Sequence, residues 1–232
     1  MDKFRVYEIP VKCYLLKNIK ENEQHTKIAE LIDKTLCRDP KYLQFHKSRE
    51  FKNYNFNFLY PLEKEEYKEG KIYTFIFRTI DKELMEYIKK YLVNEYTEFI
   101  KVLTLEIRII PKRLIEKIYS ITPIIVKTEN GYWRKNLSLE EFEERIKINL
   151  VKKYNDYFET KINEKFLLYD NIAFHNKKPI SVPYKNIHLL GDKLTLHISN
   201  DEISQELAYF ALGSGLCEAN SRGFGYVNYK WY

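Results

Sequence analysis

The 232-residue chain holds five side chains that move a proton readily near neutral pH: His25, His46, His175, His188 and His197. Their settings differ. His197 alternates within an apolar run and reads as a packed sheet residue, and His25 stands at a helix start, where a polar residue is ordinary. His46 lies in YLQFHKSREFK, with Lys41, Lys47, Arg49 and Lys52 around it. An imidazole among cations can exchange a proton beside a phosphate that those cations hold. The plainer alternative is a solvated histidine in a basic loop.

A second concentration of unusual chemistry lies near the end of the chain. Four of the seven glycines fall in GSGLCEANSRGFG, residues 213–225. Clustered glycine gives the backbone access to positive φ and lets another backbone come close. Successive N–H groups in such a loop can cradle phosphate oxygens. A dinucleotide fingerprint would follow a strand and open a helix. Here the order is reversed, and no GK[ST] follows for a P-loop. A helix C-cap explains one or two of these glycines but not GSG and GFG together. Asn220, Ser221, Arg222, Gly223 and Gly225 are therefore candidate phosphate or RNA contacts, Arg222 weighed evenly against a plain solvated arginine.

A third candidate is HNKKPISVPYKNIH, residues 175–188, which sets Lys177, Lys178 and Lys185 between two prolines and two histidines. It could grip a polyanion or simply be a solvated hairpin tip. The acidic run Glu140, Glu141, Glu143 and Glu144 reads as a solvated helix face. Cys13, Cys37 and Cys217 are too far apart for a CxxC metal motif, and an odd, sparse set points to a reducing cytosol rather than a disulfide framework. No metal, cofactor or membrane span is expected. The net charge of +6 suits a polyanionic partner but only mildly.

These segments need elements to position them. Strand-like runs at 4–17, 53–62, 71–80 and 97–110 are interleaved with helical spacing at 25–37 and 82–94, Asp39-Pro40 closing the first helix. The order is βαββαβ. The second half repeats it, with strands near 118–128, 165–175, 187–199 and 224–231 and helices at 138–158 and 202–212. Asp81 is an N-cap candidate, and Ser138 with Glu141 fits a capping box. The expected fold is α+β: two tandem ferredoxin-like (RRM-like) domains, residues 1–112 and 113–232, each with a sheet face free of helices. Aromatics at Tyr54, Phe56, Phe58 and Tyr60 alternate along one strand, either as core or as a base-stacking face.

GLCEANSRGFGYV, residues 215–227, resembles the C-terminal glycine-rich loop of the CRISPR repeat-processing endoribonucleases of the RAMP superfamily. Cys217 stands where that family often has glycine. The resemblance implies attack of a ribose 2′-hydroxyl on the adjacent phosphate without a metal, leaving 2′,3′-cyclic phosphate and 5′-hydroxyl ends. It implies His46 as general acid/base and Lys52, six residues on, as electrostatic stabiliser. It also implies RNA contacts at Arg49, Lys177, Lys178, Lys185 and the glycine-rich loop. Some members carry a tyrosine on the first helix, where this chain has Asp33; Tyr42 and Tyr54 are possible substitutes. The implied partners are CRISPR repeat RNA and a multi-subunit effector complex, for a cytoplasmic monomer or homodimer. The alternatives are a non-catalytic RNA-binding subunit of such a complex and, more remotely, a ferredoxin-like small-molecule enzyme.

Overall fold

A computed structural model describes residues 3–48, 50–184 and 187–232. The first half runs β1 (Val6–Leu15), α1 (Gln24–Leu36), α2 (Pro40–Lys47), β2 (Tyr54–Phe56), β3 (Ile72–Thr79), α3 (Lys82–Tyr91), β4 (Ile100–Leu105) and β5 (Arg108–Ile110). The second half runs β6 (Ile115–Ser120), α4 (Leu139–Phe158), β7 (Tyr169–Phe174), β8 (Ile180–Tyr184), β9 (Ile187–Gly191), β10 (Leu194–Ile198), α5 (Glu202–Ser214) and β11 (Val227–Trp231). The first sheet has the order β2-β3-β1-β4, with β5 also on β1; the second has β7-β10-β6-β11. Every pairing is antiparallel. Both are the ferredoxin-like order that βαββαβ connectivity anticipates.

Local signals start the helices as the sequence indicates. Asp81 accepts a hydrogen bond from the Leu84 amide at 3.1 Å, and Ser138 with Glu141 closes a capping box. The aromatic alternation is core: Tyr54, Phe56, Phe75 and Phe77 are buried beneath α1 and α3, while Phe58 is half-buried and Tyr60 exposed. β2 stops at Phe56, short of the strand expected over 53–62.

Three differences matter for the site. Asp39-Pro40 does not merely end α1: Asp39 accepts from the Lys41 amide at 2.8 Å, Pro40 occupies the first turn, and α2 begins. A proline there gives up no helical hydrogen bond, so the same dipeptide stops one helix and starts another. The strand expected over 187–199 is two strands, because β9 folds back on β8 as a hairpin whose register pairs Ile180 with Gly191. The strand expected over 118–128 occupies Ile115–Ser120 instead, and the chain beyond it makes single bridges to Asp192 and Glu218.

α5 joins the halves. Leu207, Ala208, Tyr209, Phe210, Ala211 and Leu212 are buried on successive faces, so the helix has no solvent side over this stretch, as a helix enclosed by protein must. Phe4, Val6 and Ile80 of the first half belong to the same core as α4 and α5. At Gly213 an added Cβ would meet Ile80 Cγ2 at 2.5 Å, so the helix and the end of β3 meet backbone to backbone. Polar ties reinforce the seam. The buried Arg78 guanidinium donates to Val227 O at 2.7 Å and Asn228 Oδ1 at 2.9 Å, while pairing with Glu8 Oε2 at 2.6 Å.

Candidate active site at the domain seam

The extra helix and the glycine-rich loop arrive from opposite halves and meet. In α2, Tyr42 packs into the first core against Tyr87, ring centres 4.0 Å apart, and Phe45 packs beside it. One residue further round, His46 turns toward α1. Its Nδ1 stands 3.2 Å from Asp33 Oδ1. That approach is close enough for an ion pair but not aligned as a hydrogen bond, and the oxygen is shielded from solvent with no other donor. The other oxygen of Asp33 accepts from Arg222 of the loop. Burial works against the Arg222 charge, but the Asp33 carboxylate more than offsets it and holds the guanidinium protonated. Asp33 thus joins an imidazole from α2 to a guanidinium from the second half.

Lys52 follows α2. Its ammonium donates to the carbonyls of Phe45 and Ser48, the latter at 3.0 Å, and to Ser48 Oγ at 2.9 Å. It thereby adds a charged donor to the carbonyls at the helix end, where a cation is also favoured by the helix dipole. Burial holds the Lys52 pKa below the usual lysine range, and the Arg222 charge adds to this against an opposing contribution from Glu50. Tyr54 is buried with its phenol near Asp33, Arg222 and Ser221; burial raises it far above the usual tyrosine range, so it stays neutral. Of the two tyrosines considered as substitutes at Asp33, Tyr54 is beside the cluster and Tyr42 is in the core.

The loop is a built object. Gly215, Cys217, Ala219, Gly223 and Gly225 all have positive φ. At Gly225 a Cβ would lie 2.1 Å from Leu216 O, so no other residue fits there without moving backbone. The buried Lys153 of α4 fixes the loop from below. It donates to Gly215 O (3.0 Å), Cys217 O (2.7 Å) and Asn220 Oδ1 (2.6 Å), and burial lowers its pKa to about 8. Asn220 also donates to Leu216 O and Phe224 O, at 2.9 and 3.0 Å. Asn220, Gly223 and Gly225 are therefore turned into the loop's own frame, and most loop amides already have backbone partners. Ser221 and Arg222 are partly exposed.

Lys177 and Lys178 are exposed at the foot of the β8–β9 hairpin, with no ion-pair partner among the described residues. The foot is held by buried Asp192, which accepts from Tyr132, Trp133, Arg134 and Asn176. The hairpin reaches the site: His25 Nε2 is 3.3 Å from Pro183 O, and Tyr184 is close enough to Arg222 to influence its charge. The expected contacts Arg49 and Lys185 lie outside the described residues. Among the described residues no group of three or more His, Cys, Asp or Glu side chains is arranged to hold a metal ion, and no helix is long and apolar enough to cross a membrane.

Residues 110–229 match the family model of the CRISPR associated protein Cas6, C-terminal. The chain belongs to the Cas6 family. Solved structures agree in fold over nearly the whole length. One, described as a CRISPR associated protein Cas6, is 21% identical, covers 97% of this chain and 99% of its own, and has a TM-score of 0.68. A RAMP protein binding different RNA substrates is 17% identical over 97% and 99%, with a TM-score of 0.75. A Cas6-related protein from Pyrococcus furiosus is 14% identical over 97% and 98%, with a TM-score of 0.68. At these identities the likeness is one of fold. No curated protein matches the chain.

Sequence reasoning brought His46, Lys52 and Arg222 forward, and the fold gathers them. It treated Asp33 only as a missing tyrosine and passed over Lys153. Asp33 had one legible signal, an acid on a helix facing a basic segment. Lys153 had none, since a lysine in KKYND on a charged helix reads as solvated.

Proposed function

We propose that this Cas6 family member binds CRISPR repeat RNA at the domain seam and cuts it without a metal, by attack of a ribose 2′-hydroxyl on the neighbouring phosphate. The carrying observation is the cluster of His46, Asp33 and Arg222, with Lys52 beside it. With Nδ1 directed at Asp33, the ring presents Nε2 away from the carboxylate, as a proton-transfer group requires. His46 would exchange the proton of the 2′-hydroxyl or of the leaving 5′ oxygen. Lys52, its three donors engaged by α2, acts through its fixed charge, and with Arg222 offsets the charge that builds on the phosphorane.

Ser221, Arg222, Lys177 and Lys178, with Arg49 and Lys185 from the sequence, are proposed to hold the RNA backbone. Asn220, Gly223 and Gly225 shape the loop that presents Ser221 and Arg222. The RAMP protein above, similar in fold, binds different RNA substrates, which fits this reading. The test is to incubate the pure protein with its host's repeat RNA in excess EDTA and map the ends. Cyclic 2′,3′-phosphate and 5′-hydroxyl ends support the proposal; 3′-hydroxyl ends, or cleavage abolished by EDTA, overturn the chemistry. Binding without cleavage would leave the RNA-holding subunit.

A further inference from the structure

Beside Lys52, a cleft of about 280 Å³ opens between the halves, lined in part by Phe51, Asn53, Lys127, Asn149 and Glu218. It is small for a ligand pocket, suited to one compact group. Its lining also holds Lys52, Lys127 and Lys153, of which Lys52 and Lys153 already donate to backbone carbonyls, and beside them lie acceptors with free capacity. Glu218 Oε2 accepts from the Lys127 amide at 3.1 Å, while Oε1 receives no hydrogen bond among the described residues. Asn53 and Asn149 each keep a side-chain oxygen shielded from solvent with no hydrogen-bond partner. An orphaned buried acceptor costs about 1–3 kcal/mol, so each calls for a partner. Phe51 is half-buried, and its ring pairs with no other aromatic ring among the described residues. A flat ring sharing a cleft with free acceptors, next to an ammonium, fits a nucleobase whose own phosphate lies toward Lys52.

We propose that this cleft selects a guanine in the RNA strand next to the active site, stacking it on Phe51 and taking its N1–H and N2–H donors on Glu218, with the carboxamides of Asn53 and Asn149 completing the edge. Guanine alone among the four bases presents two adjacent ring-edge donors for a carboxylate and a neighbouring carbonyl. Adenine and cytosine offer one amino group beside an acceptor, which would face Glu218 oxygen to oxygen or nitrogen to oxygen. The inference rests on RNA occupying the seam, as proposed above, but not on cleavage.

The experiment uses uncleavable probes: eight-nucleotide uridine-rich strands with one central guanine, inosine, adenine or cytosine, 2′-fluoro at every nucleotide so that no attacking hydroxyl remains. Fluorescence anisotropy with the full chain is expected to give guanine about 10-fold tighter binding than adenine or cytosine, inosine falling between. Glu218→Gln should erase the difference, and Phe51→Leu should weaken all four probes by about 5-fold or more. Equal affinity for the four bases, or a guanine preference that survives Glu218→Gln, overturns the pocket. Because no probe can be cut, loss of the cleavage reading leaves this result standing, and a cleaving enzyme without base preference sinks only the pocket.

Discussion

The two halves share one topology and lengthen different connections. In the first, residues 37–53 between α1 and β2 hold an added helix, α2, whereas the second crosses from α4 to β7 over residues 159–168 without one. In the second, residues 215–226 between α5 and β11 form the glycine-rich loop, whereas the first passes from α3 to β4 over residues 92–99. Each half thus elaborates the connection its counterpart leaves plain, and the two additions meet beside α1, at Asp33. The first supplies side chains that can move or balance a proton. The second supplies a shaped backbone, cations and acceptors that can hold a strand. Duplicated architecture here is a way of bringing two unlike loops face to face.

If that division holds, damage to the first half should slow chemistry and damage to the second should weaken grip. The largest effect is expected at His46→Ala, with single-turnover cleavage slowed by roughly 10²–10⁴ while RNA affinity changes little. Normal cutting by this variant would take His46 out of the reaction. Asp33→Asn should cost about 10–100-fold in rate, since a neutral amide neither pairs with the imidazole nor holds Arg222. It sharpens the comparison because Asp33 touches both halves: a change confined to affinity would make it part of the grip.

Lys153 tests the second half through pH. Burial lowers its pKa to about 8 in the fold, against about 10.5 for a solvated lysine. Between those values the unfolded chain binds more protons than the folded one, so linkage makes this group add stability as pH rises from about 8 to 10. The loop responds in the opposite sense, because a neutral amine has two donors for three acceptors. RNA affinity should therefore fall by about 3- to 10-fold between pH 7.5 and 9.5. In Lys153→Met affinity should be weak and flat across that range, and a wild-type profile parallel to the variant's would show that Lys153 does not set the loop. The smallest effects belong to Lys177→Ala and Lys178→Ala, each expected to lower the salt slope of binding by about 1 without touching the cleavage rate.

Much of the fold was legible because periodicity and capping are local. Asp81, Ser138 and the apolar spacing of α1 each announce their element within a few residues. α2 was hidden because Asp39-Pro40 serves equally as a stop and as a start, and only packing of Tyr42 and Phe45 decides. The hairpin of β8 and β9 was hidden for a similar reason: IHLLGDKLTLHIS is continuous in strand character, and the break falls at Asp192, whose four donors come from distant positions. At the site, glycine enrichment marked the loop, but which side chains face outward depended on Lys153 and Asn220 lying beneath it. Long-range hydrogen bonds leave no periodic trace.

The helix α5 carries a mechanical consequence. Wedged between both sheets, with Gly213 against β3 and Arg78 pinning β11, it ties the halves together well away from the short 111–114 connection. Halves jointed that way are not built to clamp a strand by shutting. The distance from imidazole to loop is set when the chain folds, so on the proposed reading it is the RNA strand that must bend, unstack and thread itself to fit.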